Sequence, residues 1–224
     1  MIEQKISAVI FDMDGTLIDS EPLWHEAEIT VLGTKGFAIT RDDCLEMVGR
    51  RIDSVVAAWQ ERFTWPVEQN PHVVNDIIDE VSMLIKERGA AKEGAYDLLH
   101  FLSELEMPMA IASSSPLRLI NTVVEKLELR SFLQVVHSAE HEEQGKPHPA
   151  VFLNTARKLA VEPENCLVFE DSLAGIGGAK AAGMTCVAVK ESATPFDDAQ
   201  RLADYSLSSL RDFMQSEILA LVNK

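Results

Sequence analysis

The chain is 224 residues long and carries 36 acidic against 20 basic side chains, a formal charge of −16 at pH 7. So acidic a surface repels nucleic acid and anionic membrane, and no run of Lys or Arg offsets it locally. With 46% apolar residues the chain is expected to fold, and its length allows one substantial core plus a lid or small second domain.

The first apolar stretch, residues 8–11, reads as a central strand covered on both faces, and it runs directly into Asp12-Met13-Asp14-Gly15-Thr16. Residues 21–89 lack buried β-runs and read as helices over 22–32, 52–63 and 71–88, the last with Asn70 as a candidate cap. Short strands then alternate with amphipathic helices. Residues 108–112 form a strand ending in Ser113-Ser114-Ser115, and Pro116 opens a helix with a serine at its N-cap. Residues 134–137 are a third strand, followed by Gly145-Lys146-Pro147-His148-Pro149 and a helix over 149–160. The fourth strand, 165–169, ends in Glu170-Asp171-Ser172; a helix through 179–182 stops at Gly183, and 185–189 is the fifth strand. Residues 191–198 read as a loop of unassigned purpose, and a last helix from Ser209 onward reads as core packing. This order predicts an α/β fold, a parallel sheet with helices on both faces and an inserted all-helical cap. The expected division is a core of residues 1–20 and 90–224 and a cap of 21–89.

Each polar cluster falls at the carboxyl end of a strand or in the loop after one, and in a parallel sheet those ends converge on one edge, where ligands bind. A cap inserted there would cover the site as a lid, although such a module also serves as peripheral structure. Two acids one residue apart are costly to bury unless a cation neutralises them or one stays protonated. With a second acidic pair, a hydroxyl beside backbone donors, and one lysine, the set suits phosphoryl transfer. Asp12 is then the candidate nucleophile and Asp14 the acid and base. Mg2+ would sit between Asp12, the backbone carbonyl of Asp14 and Asp171, with Glu170 as a further candidate ligand. Ser113, Ser114 and Lys146 would bind the phosphate oxygens. Each cluster also has a plainer reading: Ser-Ser-Ser-Pro as a helix cap, Gly-Lys-Pro as a turn, Glu-Asp-Ser as an N-cap.

As an ordered set, Asp12 to Thr16, Ser113, Lys146 within Gly-Lys-Pro, and Glu170-Asp171-Ser172 resemble the haloacid dehalogenase-like hydrolase superfamily, in the branch with β-phosphoglucomutase and small sugar-phosphate phosphatases. The resemblance implies a Rossmann-like core, a helical cap after the first strand, magnesium and the roles just given. Within that branch, segments 19–24 and 49–53 resemble phosphatases of 2-deoxyglucose 6-phosphate and hexitol phosphates. Asp14 argues against a dehalogenase, whose halide leaves without a proton, and Lys35 and Lys86 of the cap stand in no evident Schiff-base context. A sugar phosphomutase is the chief alternative. The resemblance would then imply a histidine where Trp24 stands, one residue before His25, and basic residues where Val48 and Ile52 stand. A non-catalytic binding protein on the same fold is a second alternative, opposed by the intact set of acids and lysine.

Substrate choice is expected in the cap, with Glu21, Trp24 and Arg51 as candidates to face the leaving group of a phosphorylated sugar or polyol. Trp24 near Leu23, Ala27 and Val31 equally suits packing, as do Trp59 and Trp65. Cys44, Cys166 and Cys186 show no CxxC spacing, so no disulfide framework or zinc site is indicated. Residues 1–7 lack a basic-then-apolar leader and no segment approaches a membrane span, so the expected location is cytoplasmic. No heptad seam is present, and a monomer is expected.

Overall fold

The computed structural model describes residues 6–47, 49–190 and 196–222. The expectations for the first five residues, for Val48 and for 191–195 lie outside the described residues. In chain order the elements are β1 (Ala8–Phe11), α1 (Glu21–Thr34), α2 (Arg41–Leu45), α3 (Ile52–Phe63), α4 (Asn70–Arg88) and α5 (Ala95–Glu104). They continue with β2 (Met109–Ser113), α6 (Leu117–Lys126), β3 (Val135–Ser138), α7 (Ala150–Leu159), β4 (Cys166–Glu170) and α8 (Leu173–Ala181). The chain closes with β5 (Thr185–Val189), α9 (Phe196–Leu202), β6 (Tyr205–Leu207) and α10 (Leu219–Val222).

The six strands form one sheet, all parallel, in the order β3-β2-β1-β4-β5-β6. Because side chains alternate along a strand, Val9 and Phe11 join Ile111, Leu167, Phe169 and Val187 on one face. Ala8 and Ile10 join Ala112, Val168, Cys186 and Ala188 on the other, against Phe152 of α7 and Ile176 of α8. The register that pairs Phe11 with Phe169 stacks their rings, centroids 5.2 Å apart. Full burial of each such ring stabilises the core by roughly 1.5–3 kcal/mol. β1 therefore lies mid-sheet between β2 and β4, and its carboxyl end opens at the centre of one edge.

The first helices after β1 cover that edge. α1, α3 and α4 enclose Leu32, Val56, Trp59, Ile77 and Val81, all buried. The chain leaves and re-enters the sheet side by side: the Asp19 amide donates to the Ala90 carbonyl (3.0 Å) and the Lys92 amide to that of Leu17 (2.9 Å). Ile18 and Ala91 form an antiparallel bridge between these crossings.

Several expectations are corrected. Asn70 is not the cap of α4. Gln69 holds that position without a side-chain bond, and Asn70 accepts from the Trp65 indole (2.7 Å). Pro116, not Ser115, sits at the N-cap of α6 in an extended conformation, and Ser115 is released for another use. The last helix from Ser209 is instead a 3-10 stretch, Leu210–Gln215, and the short α10. Elements α2, α5 and β6 carried no expectation, and α9 begins at Phe196, inside the stretch 191–198 that reads as a loop in sequence. α5 belongs to the core side, its Phe101 ring 6.1 Å from that of Phe213.

Candidate active site

β1 delivers Asp12 and Asp14, β2 delivers Ser113, and β4 delivers Glu170 and Asp171, all at one sheet edge. The loop between β3 and α7 brings in Lys146, so residues far apart in sequence meet. The Lys146 ammonium bonds both Asp12 Oδ1 and Glu170 Oε1, the latter at 2.6 Å. Burial opposes a charge on Lys146, but the two carboxylates hold its ammonium above the ordinary lysine range. Burial pushes the Asp12 carboxyl up, to about 8, while Lys146 pulls it down and Glu170 and Asp14 push it further up.

Asp171 is held by the Thr16 hydroxyl (3.1 Å) and lies against Gly15, whose φ is +76°. A Cβ on Gly15 would stand 2.3 Å from Asp171 Oδ2, so only glycine lets the two loops close together. Glu170 spends its second oxygen on the loop. Oε2 accepts from the Asp171 amide, the Ser172 amide (both 2.9 Å) and the Ser172 hydroxyl (3.1 Å). Ser172 in turn N-caps α8 by accepting from the Gly175 amide at 3.0 Å. The N-cap reading of Glu-Asp-Ser and its place at the site are thus both realised by the same residues.

Asp14 makes a different set of contacts. Its Oδ1 accepts from the Ser20 hydroxyl (2.6 Å) and the Trp24 indole N–H (2.9 Å), and its Oδ2 from the Ser115 hydroxyl (2.7 Å). Ser113 Oγ accepts from the Ser115 amide (3.0 Å), which leaves its own proton for another acceptor. Ser114 donates to the Gly49 carbonyl of the lid at 3.3 Å.

A cavity open to solvent is lined on the core side by Asp12, Asp14, Ser113, Ser114, Lys146 and Asp171. From the lid, Glu21 and Trp24 face it, joined by His25, weighed in sequence only beside the mutase alternative, and by Glu28, which carried no expectation. Arg51 does not line this cavity. Its guanidinium bonds Asp53 (2.5 and 3.1 Å) and reaches the core carbonyls of Ala139 (3.2 Å) and Glu142 (3.0 Å). Trp24 was legible as an aromatic near the site, but its bond to Asp14 was not, because the direction of one indole depends on how α1 packs.

Asp12, Glu170 and Asp171 each place an oxygen within 4.8 Å of the others. Four carboxylates meet one ammonium here, and the donors are all oxygen, which fits a hard divalent cation such as magnesium. Lys146 and the β4–α8 loop engage both Glu170 oxygens.

An all-parallel sheet with acids at its strand ends, closed over by a helical lid, defines an α/β protein with a lidded acidic site at the strand termini. Residues 9–189 match the family described as haloacid dehalogenase-like hydrolase, and the chain belongs to that family. It is 37% identical to hexitol phosphatase B of Escherichia coli K12, over 96% of this chain and 98% of that protein. It is 32% identical to a phosphorylated carbohydrates phosphatase of Thermotoga maritima, over 80% of this chain and 82% of that one. Its fold superposes on a β-phosphoglucomutase from Clostridium difficile with a TM-score of 0.84 at 23% identity, over 96% of each chain.

Proposed function

We propose that this protein is a magnesium-dependent phosphatase that hydrolyses a small sugar phosphate or polyol phosphate through a phosphoryl group carried on Asp12. The observation that carries the reading is the meeting of Asp12, Asp14, Ser113, Lys146 and Asp171 in one lidded cavity. The two relatives named as phosphatases of hexitols and of phosphorylated carbohydrates support the substrate class.

A carboxylate oxygen of Asp12 attacks phosphorus, and the bond from phosphorus to the alcohol oxygen breaks. The departing alkoxide takes its proton from Asp14. Water then attacks the aspartyl-phosphate, Asp14 recovers a proton from that water, and inorganic phosphate leaves with Asp12 restored. Ser113 donates to the phosphoryl oxygens, Ser114 does so once its bond to the Gly49 carbonyl opens, and Lys146 stands beside Asp12 to offset their charge. When bound by Asp12, Asp171 and the Asp14 carbonyl, magnesium supplies the positive charge that lets an anionic nucleophile approach an anionic phosphate. Residues 21–89 act as the lid that excludes bulk water, and its opening admits substrate.

The test is phosphate release from a panel of hexitol and sugar phosphates. Turnover is expected with magnesium, lost on chelation and restored by adding the ion back. Asp12→Asn is expected to lower kcat by about 10⁴-fold or more, in line with loss of a nucleophile that other groups cannot replace. Absence of turnover on every phosphomonoester tried would overturn the reading. Formation of glucose 6-phosphate from β-glucose 1-phosphate, in place of free phosphate, would replace it with the mutase.

A further inference from the structure

The lid half of the cavity carries polar groups that hydrolysis itself leaves unused. Glu21, His25 and Glu28 fall at i, i+4 and i+7 of α1, on one side of the helix, and all three line the cavity. Their exposures are only 8%, 5% and 5%. Helices normally turn apolar residues toward the interior, so two acids and an imidazole on a buried stripe require a reason.

Three polar atoms of the row make no hydrogen bond. Glu21 Oε2 and both ring nitrogens of His25 make no hydrogen bond among the described residues. His25 Nε2 lies 3.2 Å from Glu21 Oε2, a proximity without hydrogen-bond alignment. Buried polar groups are otherwise almost always paired, and the exceptions call for a ligand or solvent to complete them. Glu28 is anchored through Oε2 to the Trp59 indole (2.9 Å), which fixes its carboxyl at the cavity wall.

The stripe has a direction. Ser20 and Trp24, on the same segment, bond Asp14, so the row begins beside the acid and leads away from it. At 1.5 Å per residue Glu28 stands about 10 Å beyond Glu21 along the axis. A ligand with its phosphate at Asp12 would lay its tail along this row.

The chemistry of the row limits what that tail is. Carboxylates accept hydrogen bonds and a neutral imidazole both donates and accepts, so successive hydroxyls, which also do both, satisfy all three. An alkyl tail would leave them buried and unpaired. A second phosphate or a carboxylate would meet two acids, with one imidazole and no Lys or Arg on the stripe to offset them. Burial pushes the Glu28 carboxyl up, to about 7, so near neutrality it also offers a proton to a hydroxyl. Arg50 lines the same cavity but is exposed and belongs to the loop before α3, not to this row.

We infer that Glu21, His25 and Glu28 form a subsite for the uncharged, polyhydroxylated tail of a phosphomonoester and turn away substrates whose far end is itself an anion. This rests on the phosphatase reading above and deepens it.

Three monoesters test it with magnesium present: sorbitol 6-phosphate, n-hexyl phosphate and 6-phosphogluconate. The first two depart as primary alkoxides that both need a proton from Asp14 and differ in hydroxyls; the third adds a carboxylate at the far end. The native protein is expected to favour sorbitol 6-phosphate at least 30-fold in kcat/KM over each of the others. Glu21→Gln, Glu28→Gln and His25→Ala should each shrink the preference over hexyl phosphate at least fivefold, mainly through KM. The two glutamine variants should also narrow the gap to 6-phosphogluconate, a gain that poor folding cannot imitate. Turnover with unaltered ratios, or equal losses on all three esters, overturns the subsite alone. No release of phosphate by the native protein from any of the three overturns the phosphatase reading and the subsite with it.

Discussion

Asp14 receives one hydrogen bond from the core, through Ser115, and two from the entrance of the lid, through Ser20 and Trp24. The acid is thereby aimed only while α1 sits over it. Trp24→Phe removes the indole N–H and keeps most of the ring. The expected result is a fall in kcat of about tenfold on n-hexyl phosphate, whose alkoxide needs a proton, and a smaller fall on p-nitrophenyl phosphate, whose phenolate does not. Equal falls on the two esters would sink this assignment. Glu28 gives a stability prediction. Its carboxyl lies at about 7 when folded against an ordinary 4.5, chiefly through burial. The folded protein therefore binds a proton more tightly than the unfolded chain between those values, so stability declines as pH rises from about 4.5 through 7. Glu28→Gln removes that decline, and its stability relative to the native protein should improve by about 2–3 kcal/mol between pH 5 and pH 8. Urea unfolding of both proteins at the two pH values checks this; a gap independent of pH would contradict it. Asp12, Asp14, Ser113, Lys146 and Asp171 could be picked out in the sequence because each closes a strand or loop of recognisable pattern. His25 and Glu28 could not, since the apolar spacing of Leu23, Ala27 and Val31 shows which side of α1 packs but says nothing of polar residues buried beside them.

At the level of whole elements lid and core meet where α4 packs against α6 within one apolar cluster, and polar bridges add to that contact. Arg51, just before α3, holds the carbonyls of Ala139 and Glu142 in the loop that leads to Lys146. Arg118 of α6 reaches Asp79 and Asn75 of α4 (2.6 and 2.9 Å). Arg51→Ala is expected to lower kcat/KM about three- to tenfold, the scale of one or two lost hydrogen bonds across a closing interface. Faster amide exchange in the segment around Gly49 should accompany it, and unchanged exchange would place the closed state's stability elsewhere. The succession of strands and helices was readable because buried parallel strands are short continuous apolar runs; 185–189 and 52–63 were read to their last residue. β6 is three residues, two half-buried and one buried, and too brief to announce itself. At the C-terminus Leu210 and Phe213 stand three apart, a spacing that an α-helix and a 3-10 turn share. Ser115 was read as a cap because Ser before Pro usually is one, yet its hydroxyl bonds Asp14, a partner 101 residues away.

The whole molecule brings an anionic substrate toward a surface of charge −16. Such a field slows encounter, and salt weakens it as the Debye length shrinks from about 30 Å at 0.01 M to about 8 Å at 0.15 M. Measured at substrate well below KM, kcat/KM should rise about two- to fivefold across that range; a fall would mean that the cations of the site dominate approach. The paired crossings at Leu17–Asp19 and Ala90–Lys92 have a consequence of their own. Bridged strands stand about 5 Å apart, so the gap that the seventy-odd residues between them span is no wider than a hairpin. The sheet would close on itself with a two-residue turn in their place, and Lys146 would keep its bonds to Asp12 and Glu170 while losing the support that Arg51 gives its loop. Helical modules of quite other size can be spliced at this seam without breaking β1 or its link to Asp12, which makes the seam the natural point for exchanging what the site accepts while keeping its acids in place.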